Sequence, residues 1–466
     1  AGAAGGAGDT LREAGTSSAA PRTARPGEAP NVGGAPDQPG GRLSPIPGYG
    51  AVSSARAQKK SPLNASFGPG FELLSEDEEF QLQFHQETQL DYKEFEPNGD
   101  QFARSGFVFP RVRAFFNGRV TKPWEYTLSL NRGLGAIDIL DAFVNYHTND
   151  RLQLKVGRFM TPFNYEQFAI QNMWLIAPER SLFTANLGLN RMLGVQLWGI
   201  TWKQRLDYAV GVFNGPRNSF EDFNESKDVM TYLNVRPFGD QGEGSLLRNL
   251  NLGGSYTYGF QENPLVPRAF RTASNASNAS AADLFSPPFF AFNQNVLERG
   301  ERSFWSAHAA YFFRSLSLFA DYNGGDLSYV QSGTARAPVG IPASGFSAAF
   351  GYFLTGETIE RRTVVEPLRP LNLSRGQFAL GAWELAFRYS TMELDPIVFD
   401  AGLADRNLWS NRAWITNLGV NWYPTRYIKV YTTWQHTEFG DPVIYRQGGI
   451  RQLTNELFWL RLQLYF

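Results

Sequence analysis

Apolar and polar residues alternate with a period of two along much of the chain. Over residues 79–92, EFQLQFHQETQLDY, the odd positions are charged or polar, and the apolar even positions are Phe80, Leu82, Phe84, Leu90 and Tyr92. Successive side chains of a β-strand point to opposite faces, so this segment has one face suited to lipid and one suited to water. It is longer than the roughly 9–11 residues that a tilted strand needs to cross the hydrocarbon core. The pattern therefore predicts a membrane-crossing strand.

Sixteen segments follow this pattern. They lie at 79–92, 105–120, 123–133, 137–148, 151–159, 192–202, 204–214, 228–236, 249–260, 302–313, 315–329, 346–355, 377–391, 411–423, 426–438 and 453–466. Single-chain bacterial barrels have an even number of strands, and about sixteen strands leave an aqueous channel inside. The sequence therefore predicts an all-β fold, a transmembrane antiparallel β-barrel of about 16 strands.

The ends of these segments are also informative. Long connections alternate with short turns, which predicts loops at one end of the barrel and turns at the other; the long ones span 160–191, 214–228, 261–301, 330–345, 356–376, 392–410 and 439–452. Aromatic residues near strand ends predict interfacial girdles, at Tyr92, Trp124, Tyr146, Trp422 and Tyr423. The last segment alternates up to Phe466, and a terminal Phe on such a strand resembles the sorting signal of outer-membrane proteins.

Residues 1–75 differ from the rest of the chain. They are dominated by Ala, Gly, Pro and Ser, and such a segment cannot bury enough apolar surface to offset its chain entropy. We interpret it as a low-complexity N-terminal extension, periplasmic or lumen-associated, that precedes a barrel over 76–466. Because the chain starts without Met or an apolar leader, we expect a mature product from which a signal peptide has been removed.

Composition excludes several other functions. No run of eighteen apolar residues exists, so no membrane-spanning helix is expected, and the absence of Cys excludes disulfides and thiolate sites. A net charge of −1 gives no bias toward nucleic acid. The four His residues are scattered without metal-binding spacing, and no GxSxG elbow is present, so we predict no metal, no cofactor and no enzyme activity.

Several segments resemble the phosphate-selective porin O and P family, in family order. They are FPRVRAFFNGRV (109–120), WEYTLSL (124–130), DAFVNY (141–146), LKVGRFMTPFNYEQ (154–167), ERSL (179–182), LGVQLWG (193–199), GYFLTGE (351–357), GAWELAFRYS (381–390), NWYP (421–424) and LRLQLYF (460–466). The resemblance covers about 79–466. It implies a homotrimeric outer-membrane porin in contact with lipid, in which loop 161–190 folds inward and narrows the pore around Glu166 and Glu179. Pro110 departs from the family pattern, which usually has an arginine there.

A pore selects ions by rings of charge at its constriction. Arg111 and Arg113 share the polar face of their strand, so both should point into the lumen. We predict an anion-selecting set of pore-lining residues that comprises Arg111, Arg113, Arg119, Arg132, Lys155, Arg158, Arg180 and Arg191. Carboxylates in the same stretch leave three readings open: a phosphate-selective pore, a mild preference for small anions, and a general diffusion pore. An outer-membrane barrel with a structural or adhesive role, tethered through its N-terminal extension, is the alternative function.

Overall fold

The computed structural model describes residues 62–68, 70–96, 104–132, 137–242, 244–273, 285–334, 336–376, 378–444 and 450–466. The strands in these ranges are β1 (Leu63–Gly68), β2 (Gly70–Ser75), β3 (Gln81–Glu96), β4 (Gly106–Thr121), β5 (Trp124–Arg132), β6 (Asp138–Asn149), β7 (Leu152–Met160), β8 (Arg191–Thr201), β9 (Leu206–Phe213), β10 (Asp228–Val235), β11 (Asn249–Glu262), β12 (Phe270–Arg271), β13 (Pro288–Phe290), β14 (Val296–Phe313), β15 (Leu316–Gln331), β16 (Val339–Phe353), β17 (Ala382–Leu394), β18 (Arg412–Thr425), β19 (Ile428–Ile444) and β20 (Arg451–Tyr465). The helices are α1 (Tyr165–Phe168), α2 (Leu182–Asn186) and α3 (Ile397–Asp400), with 3-10 turns at Asn172–Trp174 and Leu373–Arg375.

Strands β3–β11 and β14–β20 form a closed antiparallel barrel. Each strand pairs with the next along the chain, and β20 returns to β3 with Leu462 opposite Leu90. The prediction of about 16 strands is therefore confirmed, and every predicted segment overlaps one barrel strand. The main differences are at the starts of β14 and β16, which lie six and seven residues before the predicted ones, and at the end of β19, which lies six residues after the predicted one. Strands β12 and β13 form a separate ribbon inside the connection between β11 and β14.

Each barrel strand has two unlike faces. In β20, Leu457 and Arg461 face the lumen and are fully buried, whereas Phe458 and Leu460 face outward and are 57% and 46% exposed. Large exposed apolar side chains recur on the outer face of the other barrel strands. An apolar outer wall of this kind suits lipid, since every backbone group in a closed barrel is paired within the sheet. Among the described residues, no helix has the length and apolar character to cross a membrane.

Aromatic pairs mark the strand ends, as the sequence predicts. Trp124 at the start of β5 lies 4.7 Å from Tyr146 near the end of β6, measured between ring centroids. Tyr423 departs from the prediction, because it faces the lumen and donates a hydrogen bond to the Glu384 carboxylate (2.7 Å). Its neighbour Trp422 occupies the outward position in the alternation of β18, and stacks on Trp383.

The sheet begins earlier than the expected boundary at residue 76. Hairpin β1–β2 pairs with the first residues of β3, where Phe71 lies opposite Phe84. The rings of Phe67, Phe71 and Phe84 lie 6.0–6.3 Å from that of Phe466, whose backbone pairs with Gln86. The two runs of the hairpin are only six residues each, too short to stand out as membrane strands. The assignment of residues 1–61 as an extension lies outside the described residues.

A β-bulge in β4 determines where its arginines point. Gln89 pairs with Arg111 but Asp91 pairs with Val108, so Phe109 and Pro110 stand opposite a single residue of β3. Proline cannot donate to the ladder and is tolerated at a bulge. The bulge reverses the alternation: Val108 faces the lumen and Phe109 faces outward before it, while Arg111 faces the lumen after it.

Candidate functional site

The connection between β7 and β8, which we call the lumen loop (residues 161–190), folds into the barrel. Carbonyl oxygens along 173–179 accept hydrogen bonds from side chains of the opposite wall. These contacts are Gln463 to Met173 (3.1 Å), Lys429 to Leu175 (2.8 Å), Asn421 to Ile176 (2.9 Å), Arg461 to Pro178 and Arg388 to Glu179. Since a hydrogen bond contributes about 0.5–1.5 kcal/mol, and more from a charged donor, the wall of β17–β20 holds this segment firmly.

Glu179 is the centre of a buried charge cluster. Arg111 and Arg461 both bind its carboxylate, with closest contacts of 2.5 and 2.7 Å, and Arg461 also binds Asp91 (2.6 Å). Burial disfavours the charged carboxylate, but the two guanidinium groups outweigh burial and hold the pKa of Glu179 at about 2. Glu179 therefore joins the lumen loop to β4 and β20.

Glu166 stabilises the lumen loop mainly through hydrogen bonds within the loop. Its carboxylate accepts hydrogen bonds from the backbone N–H and the hydroxyl of Ser181 (2.9 and 2.6 Å), and Arg388 lies 3.5 Å away. It is fully buried. Both acidic residues expected at the constriction thus lie inside the lumen loop, where they fix its shape.

A second segment enters the lumen from the opposite end. The connection between β16 and β17, residues 354–381, lies at the end of the short turns, which contradicts the expectation that all long connections share one end. Arg362 of this segment pairs with Glu384 and donates to the carbonyl oxygen of Trp174 (3.0 Å). Ile359 and Val365 join an apolar cluster with the lumen loop. The two segments therefore meet inside the barrel.

Apolar clusters fill one half of the lumen. Side chains of the lumen loop, including Leu175 and Ile176, pack against Phe312, Phe319 and Phe353 on the inner wall. Toward the loop end, a second cluster joins α2 to the connections after β11 and β17. Together the clusters cover the inner faces of β14–β19, and the cluster at the loop end also reaches β7–β10. The space that remains lies along β3–β8.

That space is a cavity of about 510 Å³ between the lumen loop and the inner wall of β3–β8. Four lining residues are cationic at neutral pH and one is anionic, so the lining carries +3 when His85 is counted as neutral; the charged members are Arg113, Lys155, Arg180, Arg191 and Asp141. An excess of positive charge in a narrow passage favours anions.

Most of these cations already have partners. Arg191 binds both oxygens of Asp141 (2.9 and 3.1 Å), and Arg113 contacts Glu87 (3.2 Å). Arg180 donates to the carbonyl oxygens of Glu166 and Ile170. Burial lowers the pKa of Arg180 to about 10, which leaves it charged at neutral pH.

Lys155, the fourth cationic residue at the cavity, differs from the three arginines in its contacts. Its ammonium group lies 4.7, 5.2 and 4.9 Å from the ring centroids of Phe143, Phe159 and Trp198, and it has neither a hydrogen bond nor an ion pair within the described part of the chain. Aromatic faces attract a cation without neutralising it. Lys155 therefore presents to the cavity a positive charge that forms no direct ion pair within the described residues.

The other predicted residues lie elsewhere. Arg111 is engaged by Glu179, and Arg119 lies on the inner face of β4 nearer the turns, outside the cavity lining. Arg132 was expected in the pore but is exposed on the outer side of β5, in the same alternation as Trp124. Arg158 was also expected there, but its side chain lies on the outer side of β7.

The contacts of Arg158 explain its position. Its guanidinium donates to the carbonyl oxygens of Leu140, Asn218 and Ser219 (2.7–3.1 Å) and stacks on Phe220. The connection between β9 and β10 thus folds over this arginine and removes it from solvent. Arg158 fastens that loop to the barrel and is not a lining residue of the cavity.

Two important arginines were absent from the predicted set. Arg388 and Arg461 lie on the inward faces of β17 and β20 and bind the lumen loop. Both alternate with apolar residues, as in Phe387-Arg388 and Leu460-Arg461, so the same period-two rule could have identified them. Across the described ranges, no group of three or more His, Asp or Glu side chains has an arrangement that could hold a metal ion.

A sixteen-stranded barrel with an apolar outer wall, a charged lumen and an inward-folded loop defines an outer-membrane channel protein. The chain belongs to the phosphate-selective porin O and P family, whose model matches residues 82–438. It is 25% identical over 380 residues to Porin O of Pseudomonas aeruginosa, which covers 78% of this chain and 84% of that protein. The resemblance seen in the sequence is confirmed. The chain is thus a porin of the bacterial outer membrane, and family membership implies a channel rather than an enzyme.

Solved structures with a similar fold include the anion-selective porin from Comamonas acidovorans (10% identity, TM-score 0.49, covering 83% of this chain and 100% of that one). OmpT of Vibrio cholerae, in a trimer form, is 11% identical with a TM-score of 0.48, and covers 83% of this chain and 100% of that chain.

Proposed function

We propose that this porin lets small hydrophilic solutes diffuse through the cavity beside β3–β8 with a preference for anions. The observation that carries the proposal is Lys155, an ammonium group at the cavity with no ion pair or hydrogen bond within the described residues. Arg113, Arg180 and Arg191 add positive potential, although each already donates to protein partners. The proposal includes no catalytic step and no nucleic-acid partner.

A tight phosphate filter receives less support than a mild anion preference. Inorganic phosphate would have to exchange its hydration shell for several convergent donors. Around this cavity Arg191 is held by Asp141 and Arg113 by Glu87. Lys155 supplies a cationic donor group that forms no ion pair or hydrogen bond within the described residues. We therefore expect the positive electrostatic potential of the cavity to attract anions more than direct coordination by several donors does.

Planar bilayer recording tests this proposal. Under a KCl gradient the reversal potential should have the sign of chloride preference. Lys155→Gln should reduce the chloride-to-potassium permeability ratio by up to about fivefold, because one unit charge about 4 Å away is worth about 1 kcal/mol in water. Lys155→Arg should restore the ratio.

Arg132→Gln is the matched control, since it removes one positive charge from the outer face of the barrel. Its reversal potential should equal that of the wild type. An unchanged ratio in Lys155→Gln would refute the role of Lys155. A protein that inserts without conductance steps would instead favour the structural or adhesive alternative.

We also propose that the porin is a homotrimer in outer-membrane lipid, as family resemblance implies. Part of the apolar outer wall would then contact neighbouring subunits and the rest would contact lipid. Mass measurement of the detergent-solubilised protein tests this, and a monomeric mass would contradict it.

A further inference from the structure

The cavity beside β3–β8 has one charged side and one apolar side. Eight of its nineteen lining residues are aromatic or have apolar side chains; they are Phe115, Phe143, Phe159, Met160, Phe168, Ile170, Met173 and Tyr465. Several of them stand close to the cationic side chains.

The aromatic side chains around Lys155 form an open corner. The Phe143 and Phe159 rings stand 5.8 Å apart at 76°, and the Lys155 ammonium lies about 5 Å from each. Gly157 in β7, with a φ of +134°, allows β6 this close, since a Cβ there would be 2.3 Å from the Ala142 carbonyl oxygen. A flat group that entered this corner could contact a ring face while its charge met the ammonium.

A second aromatic group lines the cavity on the side of β3 and β20. The Tyr465 ring lies parallel to that of His85, with centroids 5.9 Å apart, and meets the edge of Trp174 at 5.4 Å. Phe115 and Phe168 also line the space. Aromatic surface is therefore present on both the wall and the lumen loop.

This surface discriminates between classes of anion. A fully hydrated inorganic ion gains nothing from apolar walls and loses water near them. An anion with an apolar ring can bury that ring against Phe143 while its charged group faces Lys155, so it sacrifices hydration only at one end. The cavity is chemically complementary to the second kind of solute.

We propose that the cavity is a transit site for organic anions that carry a flat aromatic group, with the anionic group at Lys155 and the ring against Phe143. This inference rests on the anion preference proposed above and adds the class of solute. The ring contact supplies affinity that chloride and inorganic phosphate lack.

Current block in planar bilayers tests the inference with two probes that share a charged group, phenyl phosphate and methyl phosphate. Phenyl phosphate should halve the chloride current at a concentration at least tenfold below that of methyl phosphate. In Phe143→Leu, which removes the ring and keeps apolar volume, the ratio of the two half-blocking concentrations should fall at least threefold.

Phe109→Leu is the control, because Phe109 is an aromatic residue on the outer face of β4. The ratio of its two half-blocking concentrations should match that of the wild type. Equal block by the two probes in the wild type, with chloride preference intact, would overturn the inference and leave the proposed function standing. Loss of chloride preference in the wild type would overturn the proposed function itself. The wild-type comparison decides the inference even if Phe143→Leu fails to assemble.

Discussion

Replacing Glu179 with Gln should loosen the lumen loop and weaken the barrel. The substitution keeps the shape of the side chain but removes the charge that both Arg111 and Arg461 bind. The pKa of Glu179 lies near 2 instead of its usual 4.5. At about 1.36 kcal/mol for each pH unit, this difference corresponds to about 3 kcal/mol of stability at neutral pH. Removing one partner of a buried ion pair costs about the same, 3–5 kcal/mol.

The actual loss should fall at or below that range, because neither arginine becomes fully unpaired. Arg461 keeps Asp91 and Arg111 keeps Gln89 (2.8 Å). The local charge rises by one, so the chloride-to-potassium permeability ratio should increase. Open-channel noise should increase as well, since the loop loses an anchor to two strands.

Urea titration in lipid vesicles, followed by Trp fluorescence, measures the loss of stability. Bilayer recording measures the permeability ratio and the open-channel noise. Glu221→Gln is the matched control, an exposed residue outside the lumen, and should change neither readout. The wild-type stability supplied by Glu179 should persist at neutral pH and disappear as pH falls from about 4.5 toward 2, because a carboxyl with a lowered pKa stabilises only while it is ionised. A Glu179→Gln protein with wild-type unfolding and noise would refute the anchoring argument.

Three further outcomes are expected. Arg158→Gln should leave the reversal potential unchanged but increase proteolysis of the connection after β9, since three backbone carbonyl groups lose their donor at about 1–3 kcal/mol each; a shifted reversal potential would place Arg158 at the pore. Arg362→Met should destabilise by up to about 3–5 kcal/mol because buried Glu384 loses its ion pair and keeps hydrogen bonds from Tyr423 and Asn421, and adding Glu384→Gln should recover much of that in the same urea titration. Deleting residues 1–61 should leave single-channel conductance unchanged, and a clear rise would show that this segment obstructs the lumen.

The barrel was predictable because alternate residues of each strand suit two different environments, lipid on the outer face and the lumen on the inner face. The same period-two alternation also identifies two errors in the predicted set of pore-lining residues. Arg132 follows the even positions of Trp124 in β5, and Arg158 follows those of Val156 in β7, so both belong to the outward face. Both lie near the ends of their strands, at the end of the barrel where the lumen loop begins. Near a strand end, the face on which a residue lies is better evidence that it lines the pore than its distance from the end of the barrel.

The filling of the lumen could not be predicted in the same way. Arg362 and Trp174 are 188 residues apart and meet only because the barrel closes around both of their loops. Neither connection alternates, and the donors that hold the lumen loop come from several strands. Period-two analysis describes each strand's faces but contains no information about which loops enter the space between them.

The arginines of this lumen divide into those that hold the loop and those that face solute. Arg111, Arg388 and Arg461 bind the lumen loop, and their charges are met by Glu179, Glu166 and Asp91. A count of basic residues therefore overstates the charge that a passing ion meets. Because the lumen loop packs against β14–β20, the proposed path of solute runs along β3–β8, where Lys155 forms no ion pair with any described residue. A chain with almost no net charge can thus have an anion-preferring passage, since selectivity depends on which charges the fold leaves uncompensated.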